Sequence, residues 1–474
     1  YNFVPTWGWT ERVQKSSARL PNCSTSFVSE DGLLMTNWHC AEGTVKALST
    51  QKNNYYEKGF YARTLSEEPK TNIKDVRVLM SVVDVTKRVN DAVANDKSGD
   101  AAKARQEVIS QIQRNKIGLS TADMLSAGGN VLNQNPFICE VVVLYQGGQY
   151  HNYCYRIYND VRLVFIVERG IGFFGGDADN FEYPRNTFDI AFLRAYENGK
   201  PANVVNRFKW SRAGAKEAEL LFVSGHPGRT ARLLTSSALK TERDVRVPFL
   251  LDLFRRRELT TQQFILRGKK EKMVAESDLF SWQNSRKLYV GKVRGLQDPK
   301  LMKDKESFEK ELLLAPSYSF VKAELTEGLK LVEEAQSTIR EIYTPYVLLV
   351  RGLGFDSRLF DYAGSIASGN QDFAKAVLES RTSEPPINLE YEEVKLRDSL
   401  THLVEELGAE SWTVSRMMQY GNGPADLAHK FVYGTALSDP TQHQWLIRGG
   451  LQSAQQSNDP MIGLASLVKL HNEY

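Results

Sequence analysis

The chain has 474 residues, a formal net charge of +3 at pH 7, 42% hydrophobic residues and 25% charged residues. That length suits two to four domains at about 100–200 residues each, and the balance is that of a globular protein rather than a disordered one. No run reaches the roughly 18–20 apolar residues of a membrane span, and no Lys/Arg block stands apart from interleaved acids, which argues against nucleic acid as a partner.

The opening Tyr1-Asn2-Phe3-Val4-Pro5 lacks an initiator Met and reads as a processed or trimmed N-terminus. The first informative stretch is 23–40, CSTSFVSEDGLLMTNWHC. Two apolar strands flank an Asp31-Gly32 turn, and His39 is expected at the end of the second strand. Cys40 can reach back across such a hairpin to Cys23. That staple closes a loop of about 17 residues, contributes roughly 3 kcal/mol, and steadies the strand end that carries the imidazole. A general base must keep within hydrogen-bond reach of its nucleophile, so a fixed His39 makes chemical sense. A core histidine beside a structural disulfide is the plainer alternative.

Further along, 76–83, 137–145 and 155–167 are β-branched and aromatic runs that read as strands. The polar, helix-patterned stretch 90–125 interrupts them. Gln146-Gly147-Gly148-Gln149 reads as a hairpin turn that would bring Cys139 and Cys154 level on adjacent strands. Four cysteines in two local couples, with no C-x-x-C pair, point to two disulfides and an oxidising compartment. Four buried thiols in a cytosolic protein are the alternative. The glycines at 147–148 and 170–176 lack nucleotide-binding spacing.

Asp189 stands at the mouth of the apolar strand 190–193. A desolvated carboxylate there needs a partner, and a histidine N–H is a natural one because the carboxylate fixes the tautomer and stabilises the imidazolium. The order His, then Asp on a later strand, is that of chymotrypsin-like serine peptidases. A strand-end cap, or an ion pair with Arg185 or Arg194, is the competing role. Asp177-Ala178-Asp179-Asn180 lacks the further oxygen ligands of a calcium loop. Ser224 and His226 are too close in sequence to face each other as a catalytic pair, so 224–230 reads as a tight turn after a strand. Beyond about residue 235 apolar residues recur at three and four, as in Leu325, Leu329, Val332, Ile339 and Ile342, and the chain becomes mainly helical. The expected division is therefore 1–235 and 236–474.

Three motifs, 32–40 (GLLMTNWHC), 174–194 (FGGDADNFEYPRNTFDIAFLR) and 222–234 (FVSGHPGRTARLL), resemble the bacterial dipeptidyl-peptidase 7 and dipeptidyl-peptidase 11 family of serine peptidases. Segments 145–150 and 284–287 and the helical second half are similar as well. The resemblance implies an α+β fold, a chymotrypsin-like double β-barrel with a large, mainly helical cap domain. It implies dipeptide release from free peptide N-termini, in the periplasm or at the cell surface, with no metal or other cofactor. His39 and Asp189 match the catalytic His and Asp; Asn180, Phe181 and, less closely, Asn284 match residues that hold the substrate's α-amine. A homodimer is compatible with the sequence.

One departure stands out. The family's Ser-bearing G-N-S-G-S-P-type segment is absent, and the similar string Gly421-Asn422-Gly423-Pro424 contains no serine. The expectation is a fragment of a longer enzyme, with the second part of the barrel and the nucleophile C-terminal to Tyr474; a catalytically inactive peptide-binding relative is the alternative. Residue chemistry is compatible with the amine-holding role that the resemblance implies. Asn180, nine positions before Asp189, can accept a hydrogen bond from an ammonium group, and Phe181 can offer a cation–π face worth roughly 0.5–2 kcal/mol. A turn closed by Asn180 with Asp177 and Asp179 is the alternative.

Overall fold

The computed structural model describes residues 3–21, 23–97, 99–120, 136–173, 186–226, 231, 233–368, 387–439 and 452–473. They fall into two compact units that divide between residues 229 and 230.

In the first unit the described strands form one antiparallel sheet. They are β1 (Ser17–Leu20), β2 (Cys23–Phe27), β3 (Leu33–Thr36), β4 (Phe60–Tyr61), β5 (Val76–Asp84), β6 (Phe137–Leu144), β7 (Gln149–Tyr158), β8 (Asp160–Ile166), β9 (Ala191–Glu197) and β10 (Lys200–Pro201). Their spatial order is β4-β8-β9-β3-β2-β1-β5-β7-β6, with β10 on β9. The apolar run 155–167 is two strands, not one. It breaks at Asn159, where the chain leaves its pairing with β5 and β6 and takes up β4 and β9. The stretch 90–125 begins as two helices, α1 (Thr86–Ala94) and α2 (Ala101–Arg114), whose Val89, Val108 and Ile112 form a small core with Val85 and Tyr150.

Two features of this sheet fix the site. The β2–β3 hairpin turns through Gly32 at φ 75°, where a Cβ would lie 2.7 Å from the carbonyl oxygen of Ala195, so only glycine fits. Beneath that turn Arg194 on β9 is buried. Its Nε donates to Glu68 Oε1 at 3.0 Å, and its Nη1 donates to the carbonyl of Asp31 at 3.0 Å. Tyr196 O–H also donates to Glu68, at 2.8 Å. This buried network ties the hairpin to β9. The larger core lies between the sheet and α3 (Trp38–Leu48), where Phe27, Leu34, Leu163, Ile166 and Leu193 meet Trp38, Ala41 and Val45.

The second unit is helical. It includes α4 (Val247–Ile265), α5 (Lys269–Leu296), α6 (Pro299–Leu314), α7 (Lys322–Pro345), α8 (Arg358–Ala367), α9 (Leu389–Leu407), α10 (Pro424–Gly434) and α11 (Pro460–Glu473). Leu359, Ile366, Leu396, Leu400, Phe431 and Ile462 represent its core, which gathers α8 to α11. At Pro345, a ring without an N–H to donate, α7 does not stop but runs on into a π-helical turn, Tyr346–Val350. Among the described residues no helix is long and apolar enough to cross a membrane.

Candidate active site

His39 is not at a strand end. β3 stops at Thr36, Asn37 occupies the N-cap position of a new helix, and His39 is the second residue of α3. The reason is local. Trp38 turns into the core, fully buried, and donates its indole N–H to the carbonyl of Val167 at 2.9 Å. Gly172 sits against that ring so closely that a Cβ there would come within 2.3 Å of it. Burial of the indole therefore draws the chain out of the strand and leaves the next side chain, His39, more exposed than its neighbour.

The partner comes from β9. β3 and β9 pair antiparallel with Thr36 opposite Ala191, so residues just after Thr36 meet residues just before Ala191. This register brings together residues 150 apart in sequence. His39 Nδ1 lies 2.8 Å from Asp189 Oδ2, and the backbone N–H of His39 donates to Asp189 Oδ1 at 3.1 Å. The Asn37 amide nitrogen donates to Oδ2 at 3.1 Å. Burial pushes the Asp189 carboxyl up, but hydrogen bonds from the His39 ring and backbone and from Asn37 outweigh it and hold the group below its ordinary value of 3.8. An ionised carboxylate only accepts, so the Nδ1 of neutral His39 carries the proton. The side chains are 39% and 15% exposed, so the pair is reachable on the imidazole side and sheltered on the carboxylate side.

Asp189 is thus not partnered by Arg194, which belongs to Glu68 and Asp31. Arg185 lies outside the described residues, as do Asp177, Asp179, Asn180 and Phe181.

Cys23 and Cys40 form a disulfide, Cα–Cα 6.0 Å, joining the start of β2 to the first turn of α3. Its sulfurs and a ring nitrogen of His39 lie within 4.8 Å of one another. That grouping has metal-ligand elements, but disulfide sulfur is not the thiolate a metal needs. Cys139 and Cys154 face each other across β6 and β7, Cα–Cα 4.1 Å, and are bonded too.

Segment 224–226 also departs from expectation. No strand precedes it among residues 203–226, because 220–223 finds no ladder partner there; Val223 is fully exposed. Residues 227–230 of the expected turn lie outside the described residues; within 224–226 the chain bends at Gly225. Gly225, at φ 140°, packs against Ser24, whose Oγ accepts the N–H of His226 at 2.7 Å. Burial lowers the basicity of His226, and its N–H contact is with Ser24 rather than Ser224. Asn284 lies half-buried in α5 of the helical unit.

Asn37 and Trp38 carry no assignment from sequence reasoning. The available signal was an Asn immediately before a helical start, a position where that residue normally serves the helix.

The sequence matches the Peptidase S46 family model over residues 1–474. The chain belongs to this family. An Asp/Glu-specific dipeptidyl-peptidase of Shewanella putrefaciens is 34% identical over 234 residues, 47% of this chain and 30% of the relative. A dipeptidyl-peptidase 7 of Capnocytophaga gingivalis is 32% identical over 225 residues, 45% of this chain and 30% of the relative. Porphyromonas endodontalis DPP11 in complex with the dipeptide Arg-Asp shares the fold, with TM-score 0.77 at 18% identity, covering 97% of this chain and 68% of that one. The matched stretch is thus less than a third of the length of those two curated relatives.

Proposed function

We propose that this S46 chain provides the base and the cap of a serine-type dipeptidyl-peptidase that releases dipeptides from peptides with a free N-terminus. The observation that carries the reading is the His39–Asp189 contact at 2.8 Å, with Asp189 held ionised by three hydrogen bonds. A peptide-binding relative without chemistry has no use for a carboxylate desolvated in that way, and burying one is costly.

In this reading a serine from a segment outside this sequence is the nucleophile, and that segment completes a chymotrypsin-like double β-barrel whose first part is built from residues 1–235. Residues 236–474 form the helical cap. Two facts support it: the sequence has no G-x-S-G-x-P string, and the chain covers 68% of the DPP11 fold. His39 takes the serine proton as the hydroxyl adds to the scissile carbonyl, then passes it to the leaving amine. Water, deprotonated by the same ring, frees the dipeptide from the acyl-enzyme and returns the proton to serine. Asp189 keeps the ring in the Nδ1–H tautomer and stabilises the imidazolium. Asn180, Phe181 and Asn284 would bind the substrate ammonium and thereby stop the chain two residues from the cleaved bond. The two disulfides fit the periplasm or the cell exterior.

The test compares a dipeptidyl substrate with its N-acetylated twin on the complete enzyme. Acetylation removes the charge, so kcat/KM is expected to collapse, and Asn180→Ala to penalise the free amine selectively. Equal cleavage of both substrates would overturn the dipeptidyl assignment.

A further inference from the structure

An Asn in the N-cap position usually turns its side-chain oxygen onto the N–H of the second or third helical residue. Asn37 holds that position in α3, at φ −78° and ψ 152°, yet makes no side-chain capping bond. Its amide nitrogen instead donates to Asp189 twice, to the backbone carbonyl at 3.2 Å and to carboxylate Oδ2 at 3.1 Å. Both atoms only accept hydrogen bonds, so the amide must present its NH2 to them. Capping has passed to Asp189, whose Oδ1 takes the N–H of His39 at 3.1 Å. A negative charge at that end of a helix is favourable in its own right.

The geometry of this exchange is specific. One NH2 group bridges the backbone and the side chain of the same aspartate, which fixes the side-chain rotation of Asp189 relative to β9. The helix N–H holds the other carboxylate oxygen. What remains for Oδ2 is the bond to His39 Nδ1, made in a set direction.

We propose that Asn37 is a positioning residue of the peptidase: it clamps Asp189 so that the carboxylate holds His39 in one tautomer and one orientation. This rests on the roles given above to His39 and Asp189. An ordinary capping role is the competitor, and one substitution separates the two. Asn37→Asp keeps a side chain that caps helices as well as asparagine does, but it has no N–H to give and sets a second negative charge beside Asp189. Asn37→Ala removes cap and clamp together.

Two readouts decide it. In the 474-residue chain, labelled histidine and aspartate report the tautomer of neutral His39 and the titration of the Asp189 carboxyl by NMR. The wild type is expected to show a single Nδ1–H tautomer, and both variants a mixture. In Asn37→Asp the Asp189 titration is expected to rise by about one unit or more. In the complete enzyme, kcat for a dipeptidyl substrate is expected to fall about 10–100-fold with KM nearly unchanged. Near-UV circular dichroism verifies that both variants are folded. A wild-type tautomer and Asp189 titration in Asn37→Asp would overturn the proposal, as would a kcat within about twofold of wild type. Inactivity of the wild-type enzyme on every dipeptidyl substrate would instead overturn the peptidase reading, and the NMR result would still settle what Asn37 does.

Discussion

Asp189→Asn is isosteric, and the three hydrogen bonds around residue 189 dictate its outcome. The His39 backbone N–H, 3.1 Å from Oδ1, demands an acceptor, so the new amide oxygen must occupy that place. The amide NH2 then replaces Oδ2, facing His39 Nδ1 at 2.8 Å and the Asn37 NH2 at 3.1 Å. The first contact forces Nδ1 to become an acceptor, which moves the ring proton to Nε2, the nitrogen that in the proposed mechanism receives the proton from serine. The second contact sets two donors against each other. Flipping the amide the other way satisfies Asn37 and His39 Nδ1 but leaves the helix N–H against an NH2, so neither orientation restores the native set. With the tautomer wrong and the negative charge gone, kcat/KM for a dipeptidyl substrate is expected to fall about 10⁴-fold in the complete enzyme, the scale of the same exchange in trypsin-type triads. Steady-state kinetics at pH 7–8 measure the loss, and the Nε2–H tautomer is its spectroscopic counterpart in the 474-residue chain. The pH dependence has a definite sign. Because the folded Asp189 titrates below its ordinary 3.8, its stabilising charge is complete above that value and is lost as pH falls through the lowered one. The stability advantage of wild type over Asp189→Asn should therefore persist at pH 5–8 and shrink only in stronger acid. A loss of activity under tenfold, or an unchanged tautomer, would refute the reasoning.

Two further outcomes follow from the scaffold. Replacing Cys23 and Cys40 together by serine opens a loop with a sequence separation of 17 and should cost about 3 kcal/mol in urea unfolding, with kcat falling more than KM rises. Arg194→Ala leaves Glu68, whose side chain is 2% exposed, as a buried charge without its guanidinium and should cost about 3–5 kcal/mol. Arg194→Met with Glu68→Leu should cost less than the single change; an equal or greater loss would show that Arg194 acts through packing alone.

Runs of β-branched and aromatic residues made the strands legible, and the three-and-four spacing after about 235 made the helices legible. Strand partners were harder to read. In 155–167 the Asn159-Asp160 pair is a turn signal that the apolar run on either side outweighed, and the break there is also a change of neighbouring strands. The hairpin register was readable because Gln146-Gly147 fixes the turn, and the opposition of Cys139 and Cys154 follows by counting. In the site, His39 stood out beside the Cys23–Cys40 staple and Asp189 as a carboxylate at the mouth of an apolar strand, where it needs a partner. The turn of helix that carries His39 did not. It depends on where the Trp38 indole finds a cavity, and that cavity is made by Val167 and Gly172, far away in sequence. Glu68 was invisible for the same reason: its partner Arg194 is 126 residues away.

The first turn of α3 is restrained from four directions. Cys40 is bonded to β2, Trp38 is buried against the chain near Val167, Asp189 holds the helix N–H, and Asn37 holds Asp189. All of these residues lie within the sheet unit. A base that must present Nε2 in one direction gains little from a single restraint, because a helix end can still fray or rotate about it. Four restraints from β2, β8's trailing segment, the entry to β9 and the N-cap leave that turn little freedom. The tautomer and direction of His39 are then properties of this unit before any serine or substrate is near. In the proposed peptidase, binding energy from the peptide is then not needed to orient His39 and remains for the reacting bond, the division of labour that raises kcat rather than merely lowering KM.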